Sequence, residues 1–400
     1  MADPERLPVD PLDEGPGRPC SCGSTEFEPE RDVMDTWATS SMTPQIVGRW
    51  LNDPQLYAQV APFSLRPQAH EIIRTWAFYT IVKAWMHERE IPWYHVVLSG
   101  WILDPDRKKM SKSKGNVVTP DDLLVEWSSD AVRYWAARAR LGTDTAFDPG
   151  VFKVGKRLST KVFNASRFVL GQLERTGGAV PSPECITEPL DLALAARLRA
   201  VIEQATRAFE AFDYAAALQV SEESFWQFCD HYLELVKLRS YSDDDTAGRR
   251  SALATLGLGL NTYLRLLAPF LPYVTEEVWS WSFAGEGRRR SVHTAPWPRP
   301  SELDAAAGTP LEGTFEAAVE VMTAVRGAKT LAQKSLRWPV ARLEITGPEA
   351  ARAALQPVLD DILRAANVAE GGLEFSDGAA PEGERFAITV ILGEAAENDR

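Results

Sequence analysis

The sequence predicts three folds in succession: part of an α/β domain with a parallel sheet, then an all-α bundle, then a small α+β unit. Three observations carry this. Between Ile72 and Arg140 a helical segment, an apolar strand, a basic loop and a second helical segment follow one another, the order expected of a parallel-sheet unit. From Val151 to Ala284 long segments place apolar residues at helical spacing, as bundle helices do. From Gly313 to Leu392 helical and alternating patterns are interleaved. At 400 residues the chain is long enough for two or three domains.

Taken in order, residues 1–31 are rich in Pro, Gly and acidic side chains without apolar periodicity, and predict an extended lead-in. Residues 32–150 form the α/β part. Ile72 to Met86 reads as a helix, and Trp93 to Trp101, with Val96, Val97 and Leu98, as a buried strand. Gly100 opens a loop of basic and small residues. Asp121 to Arg140 reads as one helix, with Thr119 as its cap, Pro120 at its first position and acids in its first turn.

Residues 151–284 form the bundle. Val154, Leu158, Val162, Ala165 and Val169 make one apolar stripe, with Lys153, Lys156, Arg157, Lys161 and Arg167 interleaved. Helices are expected at about 190–213, 221–239 and 250–284, with Ser221 opening the second and Phe225, Phe228, Tyr232 and Leu235 forming its buried stripe. Residues 285–310 read as a linker. In residues 311–400, helices are expected at about 313–332 and 349–367, and strands at Ala341–Ile345 and Phe386–Leu392.

Charge and cysteine content narrow the class. Forty-three basic and 56 acidic residues leave a net charge of −13. That favours solubility and disfavours non-specific binding to nucleic acid or membrane, though a local basic strip still suffices for phosphate contacts. No apolar run approaches the ~20 residues that cross a bilayer, so no membrane partner is expected. Four cysteines fit a reducing, cytoplasmic setting. Cys20-Ser21-Cys22 has no second cysteine pair after it, and four ligands make a structural zinc site. No metal site is expected.

The chemistry concentrates in Lys108-Lys109-Met110-Ser111-Lys112-Ser113-Lys114-Gly115-Asn116, in the loop after the expected strand. Flexible lysines among small residues can fold over a polyphosphate and neutralise it. The string KMSKS followed by Gly-Asn resembles the signature loop of the class I aminoacyl-tRNA synthetases. Further segments are similar to the valyl enzymes more than to their isoleucyl or leucyl relatives: Asp32 to Ser41 (DVMDTWATSS), Arg66 to Trp76 (RPQAHEIIRTW) and Asp130 to Trp135 (DAVRYW). Phe225 to Glu234 and Leu267 to Pro272, with Glu276, Glu277 and Trp279, resemble the anticodon-binding bundle of that family.

The resemblance implies the second half of a Rossmann-like class I nucleotide-binding domain, followed by the anticodon-binding bundle and a small C-terminal unit. It implies ATP-dependent joining of valine to tRNA, with ATP and Mg2+ at the active site. Lys109 and Lys112 would be the catalytic lysines on the phosphates. Gln68, His70, Glu71, Met110, Ser111, Lys112 and Ser113 would bind ATP, Glu71 at the ribose. Trp37 and Ile72 would line the amino-acid pocket. Lys153, Lys156, Arg157 and Lys161 would contact tRNA, with Arg326, Lys329, Lys334 and Arg337 as a further basic set.

Two departures bear on activity. Class I sites need a second, His-Ile-Gly-His-like signature, and no two of His70, His87, His95, His231 and His293 stand in that relation. The first half of the nucleotide fold and the editing insertion are also missing. A single chain of this kind is expected to be an incomplete ligase: a split enzyme completed by a separate N-terminal synthetase half, the product of a start site placed too far downstream, or a truncated duplicate. Residues 32–150 are expected to be poorly stable alone. The competing reading is a non-catalytic tRNA-binding protein that keeps the bundle; use of ATP discriminates the two.

Overall fold

The computed structural model describes residues 4–285, 290–306 and 308–394. The chain divides into two compact units: residues 4–101 with Leu141–Thr143, and residues 102–140 with the described residues from Asp144 onward.

In the first unit, short helices α1 (Trp37–Ser40), α2 (Thr43–Val47) and α3 (Pro54–Val60) precede strand β1 (Phe63–Ala69). A 3-10 turn at His70–Ile72 and a π turn at Ile73–Ala77 lead into α4 (Phe78–Glu88), and β2 (Trp93–Ser99) follows. β1 and β2 pair in parallel from Phe63 opposite Trp93 to Ala69 opposite Ser99. Polar side chains tie the small helices to α4 and to the π turn before it. Glu88 accepts from Gln45 Nε2 at 2.7 Å and from Tyr57 Oη at 2.5 Å, and Trp76 Nε1 donates to the Ser40 carbonyl at 2.7 Å.

The strand expected to be buried is not. Trp93 is buried, but Tyr94 is 69% exposed and Val96 45%. Parallel strands are normally covered on both faces; in this two-stranded sheet Tyr94, His95 and Val96 are exposed in succession. α4 shows the same: Thr80 and Ala84 are buried while Phe78, Trp85 and Met86 are exposed.

The second unit opens with β3 (Ile102–Leu103), helices α5 (Pro120–Trp127) and α6 (Ser129–Ala137), and β4 (Thr145–Ala146), parallel to β3. The single helix expected over 121–140 is thus two. The chain breaks at Ser128, whose φ of 81° no helix accommodates. Thr119 occupies the cap position of α5, but its side chain accepts no hydrogen bond there.

The bundle consists of α7 (Pro149–Glu174), α8 (Pro189–Glu210), α9 (Tyr214–Gln227), a π turn at Phe228–Tyr232, α10 (Leu233–Tyr241), α11 (Ala247–Leu267) and α12 (Pro272–Ser282). Leu158, Val162, Ala165 and Val169 are buried as expected; Val154 is exposed. Phe225, Phe228, Tyr232 and Leu235 are all buried. Ser221 does not open a helix. Asp213 does, its side chain accepting from Ala216 N at 3.0 Å, while Ser221 lies buried inside α9 and donates to the Ala217 carbonyl. The helix expected over 250–284 is divided before Pro272, which cannot donate to the preceding turn.

The carboxyl-terminal part contains α13 (Thr314–Leu331), β5 (Val340–Gly347), α14 (Glu349–Leu355), α15 (Leu359–Ala366), β6 (Leu373–Asp377) and β7 (Ala387–Leu392). The strand order is β6-β5-β7, with β6 parallel and β7 antiparallel to β5. One apolar core runs from Tyr134 in α6 through the bundle to Val321, Leu343 and Phe386.

A buried polar cluster crosses that core. All five Arg239 N–H groups are used: Nε and Nη2 donate to Asp361, Nη1 and Nη2 to Asp191, and Nη1 also to the Gly248 carbonyl, at 2.8–3.0 Å. Tyr232 Oη and Ser251 Oγ donate to Asp191 at 2.7 and 2.6 Å. Asp191 is completely buried. The two carboxylates outweigh the cost of burying the guanidinium and hold its pKa above the ordinary arginine value.

Two predictions follow from these packings. In the intact chain, amides of β1 and β2 should exchange hydrogen orders of magnitude faster than those of α8 and α11; equal protection would contradict the description of the first unit. Arg239→Met should cost about 3–5 kcal/mol in urea unfolding, because it strands the Asp191 carboxylate in the core; a loss below about 1 kcal/mol would mean that water reaches that carboxylate.

Candidate functional site

The basic loop is rooted in a tight hairpin. Asp104 N donates to the Lys108 carbonyl and Arg107 N to the Asp104 carbonyl, both at 2.9 Å, and Leu103 bridges Lys109 in antiparallel fashion. The turn needs Arg107 at a φ of 62°. Beyond it, a 3-10 turn at Lys112–Lys114 and Gly115, at a φ of 67°, reverse the chain.

Two side chains brace this loop. The Asp104 carboxylate, 7% exposed, accepts from Lys108 N and from Asn116 Nδ2, both at 2.7 Å. Asn116 also accepts from Ser111 N at 3.0 Å and donates to the Lys109 carbonyl at 3.3 Å. Ser111 and Ser113 hydroxyls lie 3.2 Å apart. One asparagine therefore ties the entry of the loop, its middle and its exit. Met110 and Ser111 are half-buried, and Lys108 and Lys109 are exposed. The side chain of Lys112 lies outside the described residues.

Asn116 and the Lys108 N–H hold the Asp104 carboxyl below its ordinary pKa. The bracing is therefore complete above the ordinary Asp value of about 3.9 and is lost as pH falls through the lowered value.

Within the first unit, Gln68, His70, Glu71 and Ile72 follow one another from the end of β1 into the 3-10 turn. His70 Nδ1 is 3.2 Å from the Ser99 carbonyl, at the end of the neighbouring strand, and its ring lies 5.0 Å from that of Trp101. Gln68 is buried, and both amide atoms lack a hydrogen-bond partner among the described residues. Glu71 is exposed and Ile72 half-buried. Trp37, half-buried, opens α1 with its N–H on Asp35 at 2.9 Å.

Arg66 is a residue that sequence reasoning assigned no role. It is 8% exposed, with its guanidinium 3.5 Å from the Trp76 ring centroid and 5.0 Å from that of Trp93. It borders a cavity of about 220 Å³, also lined by Thr43, Pro44 and Phe63. Burial pulls its pKa down, and Nε and Nη2 have no hydrogen-bond partner among the described residues.

On α7 the four candidate cations differ. Lys153 is exposed. Lys156 donates to the Glu126 carbonyl at 3.2 Å and lies 5.8 Å from the Trp127 ring centroid. Arg157 lies 4.9 Å from the Trp226 ring centroid. Lys161 pairs with Asp230 at 2.7 Å, and its ammonium lies 5.7 Å from the same Trp226 centroid.

The segment after the loop is anchored to the bundle. Asp130 on α6 accepts from Tyr273 N and Val274 N at 3.1 and 2.8 Å, closing the N-terminus of α12, and Arg133 donates to the Pro269 carbonyl at 2.9 Å. Burial raises the Asp130 pKa, against these hydrogen bonds. Tyr134 Oη donates to Glu222 on α9 at 2.7 Å. Gly155 lets α7 approach the Tyr134 ring, where a Cβ would lie 2.9 Å from it.

Known proteins give these elements a lineage. Residues 10–148 match the model for tRNA synthetases class I (I, L, M and V), and residues 191–345 that for the anticodon-binding domain of tRNA ligase. A solved ternary complex of Agrobacterium radiobacter K84 agnB2 LeuRS with tRNA and LeuAMS aligns with 73% of this chain and 36% of its own, at a TM-score of 0.57 and 23% identity. Mycobacterium tuberculosis methionyl-tRNA synthetase in complex with methionyl-adenylate aligns with 62% of this chain and 50% of its own, at a TM-score of 0.52 and 22% identity. The chain belongs to the class I tRNA synthetases.

Within that class the similarity narrows. Valine–tRNA ligase of Salinispora tropica is 48% identical over 388 residues, covering 92% of this chain and 44% of the relative. That of Thermobifida fusca is 47% identical, covering 95% and 42%. The chain is a member of the valine–tRNA ligase family and spans less than half the length of these relatives.

The bracing of the loop is open to a swap experiment. Asn116→Asp sets two carboxylates against each other and should raise amide exchange at Lys108 and Ser111 about tenfold, the worth of one hydrogen bond. Adding Asp104→Asn restores a donor–acceptor pair and should reverse most of the effect. Unchanged exchange in the single variant would remove Asn116 from this role.

Proposed function

We propose that this chain acts in the ATP-dependent joining of valine to tRNA, together with a further segment of the kind that makes its relatives more than twice as long. The braced lysine loop carries this reading. A loop held at Asp104 and Asn116, with Lys108, Lys109 and Lys114 exposed, is suited to close over a polyphosphate.

In the proposed reaction the valine carboxylate attacks the α-phosphorus of ATP. A carboxyl-oxygen–phosphorus bond forms, the bond to the β-phosphate bridge breaks, and pyrophosphate leaves. A terminal tRNA hydroxyl then attacks the acyl carbon, its proton is lost and AMP departs. Lys109 and Lys112 would neutralise the charge that develops on the departing pyrophosphate. Met110, Ser111 and Ser113 shape the loop, while Gln68, His70 and Glu71 would hold the adenosine. Trp37 and Ile72 would bound the valine side chain. Lys153, Lys156, Arg157 and Lys161 would contact tRNA phosphates.

Mg2+ would travel with the nucleotide. Among the described residues no three His, Cys, Asp or Glu side chains gather to hold a metal, and no step passes through one. No helix among the described residues is long and apolar enough to cross a membrane, and a cytoplasmic setting belongs to the same proposal.

The test is valine-dependent ATP–pyrophosphate exchange by the 400-residue chain, alone and with the amino-terminal part of a valine–tRNA ligase. Exchange is expected only in the mixture, and Lys112→Ala should lower it about 10²–10³-fold. Absence of exchange in both, with tRNA binding retained, would favour the non-catalytic tRNA-binding reading.

A further inference from the structure

Arg66 on β1 is a buried cation without a counter-ion. Its guanidinium lies against two indoles, 3.5 Å from the Trp76 ring centroid and 5.0 Å from that of Trp93, and the residue is 8% exposed. Aromatic faces attract a cation, but a guanidinium carries its five N–H donors in its own plane, where a ring face cannot accept them all. Nε and Nη2 have no hydrogen-bond partner among the described residues. No carboxylate among them offsets the burial that pulls the Arg66 pKa down. A buried charge of this kind costs free energy unless a partner is supplied.

The guanidinium borders the cavity of about 220 Å³. The other walls are mostly apolar: Pro44 and Val47 of α2, Phe63 and Leu65 of β1, and the two indoles. No acidic side chain among the described residues lines it. The hydroxyl of Thr43 in the lining already donates to the Ser40 carbonyl. Val47 and Leu65 are exposed, so the apolar rim reaches solvent.

An apolar cavity with an unpaired planar fork in its wall suits a planar anion on an aliphatic stem. The two oxygens of a carboxylate match the fork, and the stem displaces water from the apolar lining. We infer that this cavity is the socket for an Asp or Glu side chain of the polypeptide by which the relatives exceed this chain, held by the Arg66 guanidinium. Charge selects the carboxylate, and the exposed apolar rim selects a protein segment over a free hydrated anion. The relatives are more than twice as long as the stretch they share with this chain. The inference rests on the proposed completion by a further segment and names one contact through which that completion occurs.

The carboxylate chemistry is tested on the 400-residue chain alone. Sodium isobutyrate, against sodium chloride at equal ionic strength, should slow amide exchange at Leu65 and Gln68 by about tenfold at a concentration about ten times its Kd. Isobutyramide should not. Equal effects of acid and amide, or none from either, would overturn the socket. Arg66→Met removes the unpaired charge, so it should itself slow exchange at these amides and abolish the isobutyrate effect. Faster exchange in a folded Arg66→Met would show that the indoles alone satisfy Arg66, and would overturn the inference. If that variant does not fold, the wild-type titration decides.

The source of the carboxylate is tested in the mixture with the amino-terminal part of a valine–tRNA ligase. Arg66→Met should raise the concentration of that part needed for half-maximal ATP–pyrophosphate exchange about tenfold, the worth of a charged hydrogen bond, with the plateau unchanged. Arg66→Lys, a charge without the fork, should fall between wild type and Arg66→Met. An inactive wild-type mixture would overturn the proposed function and leave the socket to the isobutyrate result. An active mixture in which Arg66→Met assembles at the wild-type concentration would overturn the polypeptide as the source.

Discussion

The second unit hangs on one guanidinium. Arg239 reaches Asp191 on α8, Gly248 on α11 and Asp361 on α15, so three helices far apart in sequence share one buried cation. An arginine serves here because only a planar five-donor fork can meet two carboxylates and a carbonyl together. Tyr232 and Ser251 complete the shell of Asp191. Such a cluster adds little net stability over apolar packing, but it penalises every arrangement that leaves a member unpaired. The bundle and the carboxyl-terminal sheet therefore have one relative placement, and their common apolar core follows from it.

The lysine loop is set on this frame by shorter links. Asp130 closes the N-terminus of α12, Arg133 holds the Pro269 carbonyl and Tyr134 packs on Gly155 of α7. A helix start needs acceptors for its free N–H groups, and α12 takes them from α6 rather than from its own chain neighbours. The loop and the bundle then belong to one compact unit, while Asn116 and Asp104 limit how far the loop's ends separate.

Much of this was legible in sequence, and what was not has identifiable physical causes. The long helices announced themselves because burial at every third or fourth residue repeats over many turns. The loop was legible from its string of residues. β1 was not: it carries Arg66, Pro67 and Gln68, and nothing local says that the two polar side chains among them are buried. β6 follows two glycines and carries Glu374, Ser376 and Asp377, so its pairing with β5 is a tertiary fact. The Asp104–Asn116 bracing spans a gap without a helical or strand period. Ser221 looked like a helix start because serine caps helices, yet Asp213, eight residues earlier, had already capped this one.

The two units differ in what holds them. In the second, large side chains such as Phe152, Phe225 and Tyr263 are fully buried, and apolar burial is the dominant folding term. In the first, helices are joined by Glu88, Trp76 and similar polar ties, each worth about 1 kcal/mol net, while Phe78, Trp85, Met86 and Tyr94 remain in solvent. Arg66 and Gln68 sit buried with partnerless polar atoms among the described residues, an arrangement that costs free energy unless something supplies partners. This sheet buries polar atoms of Arg66 and Gln68 while Leu65, Tyr94 and Val96 stay exposed. The chain's relatives, more than twice as long, have the polypeptide from which such partners can come.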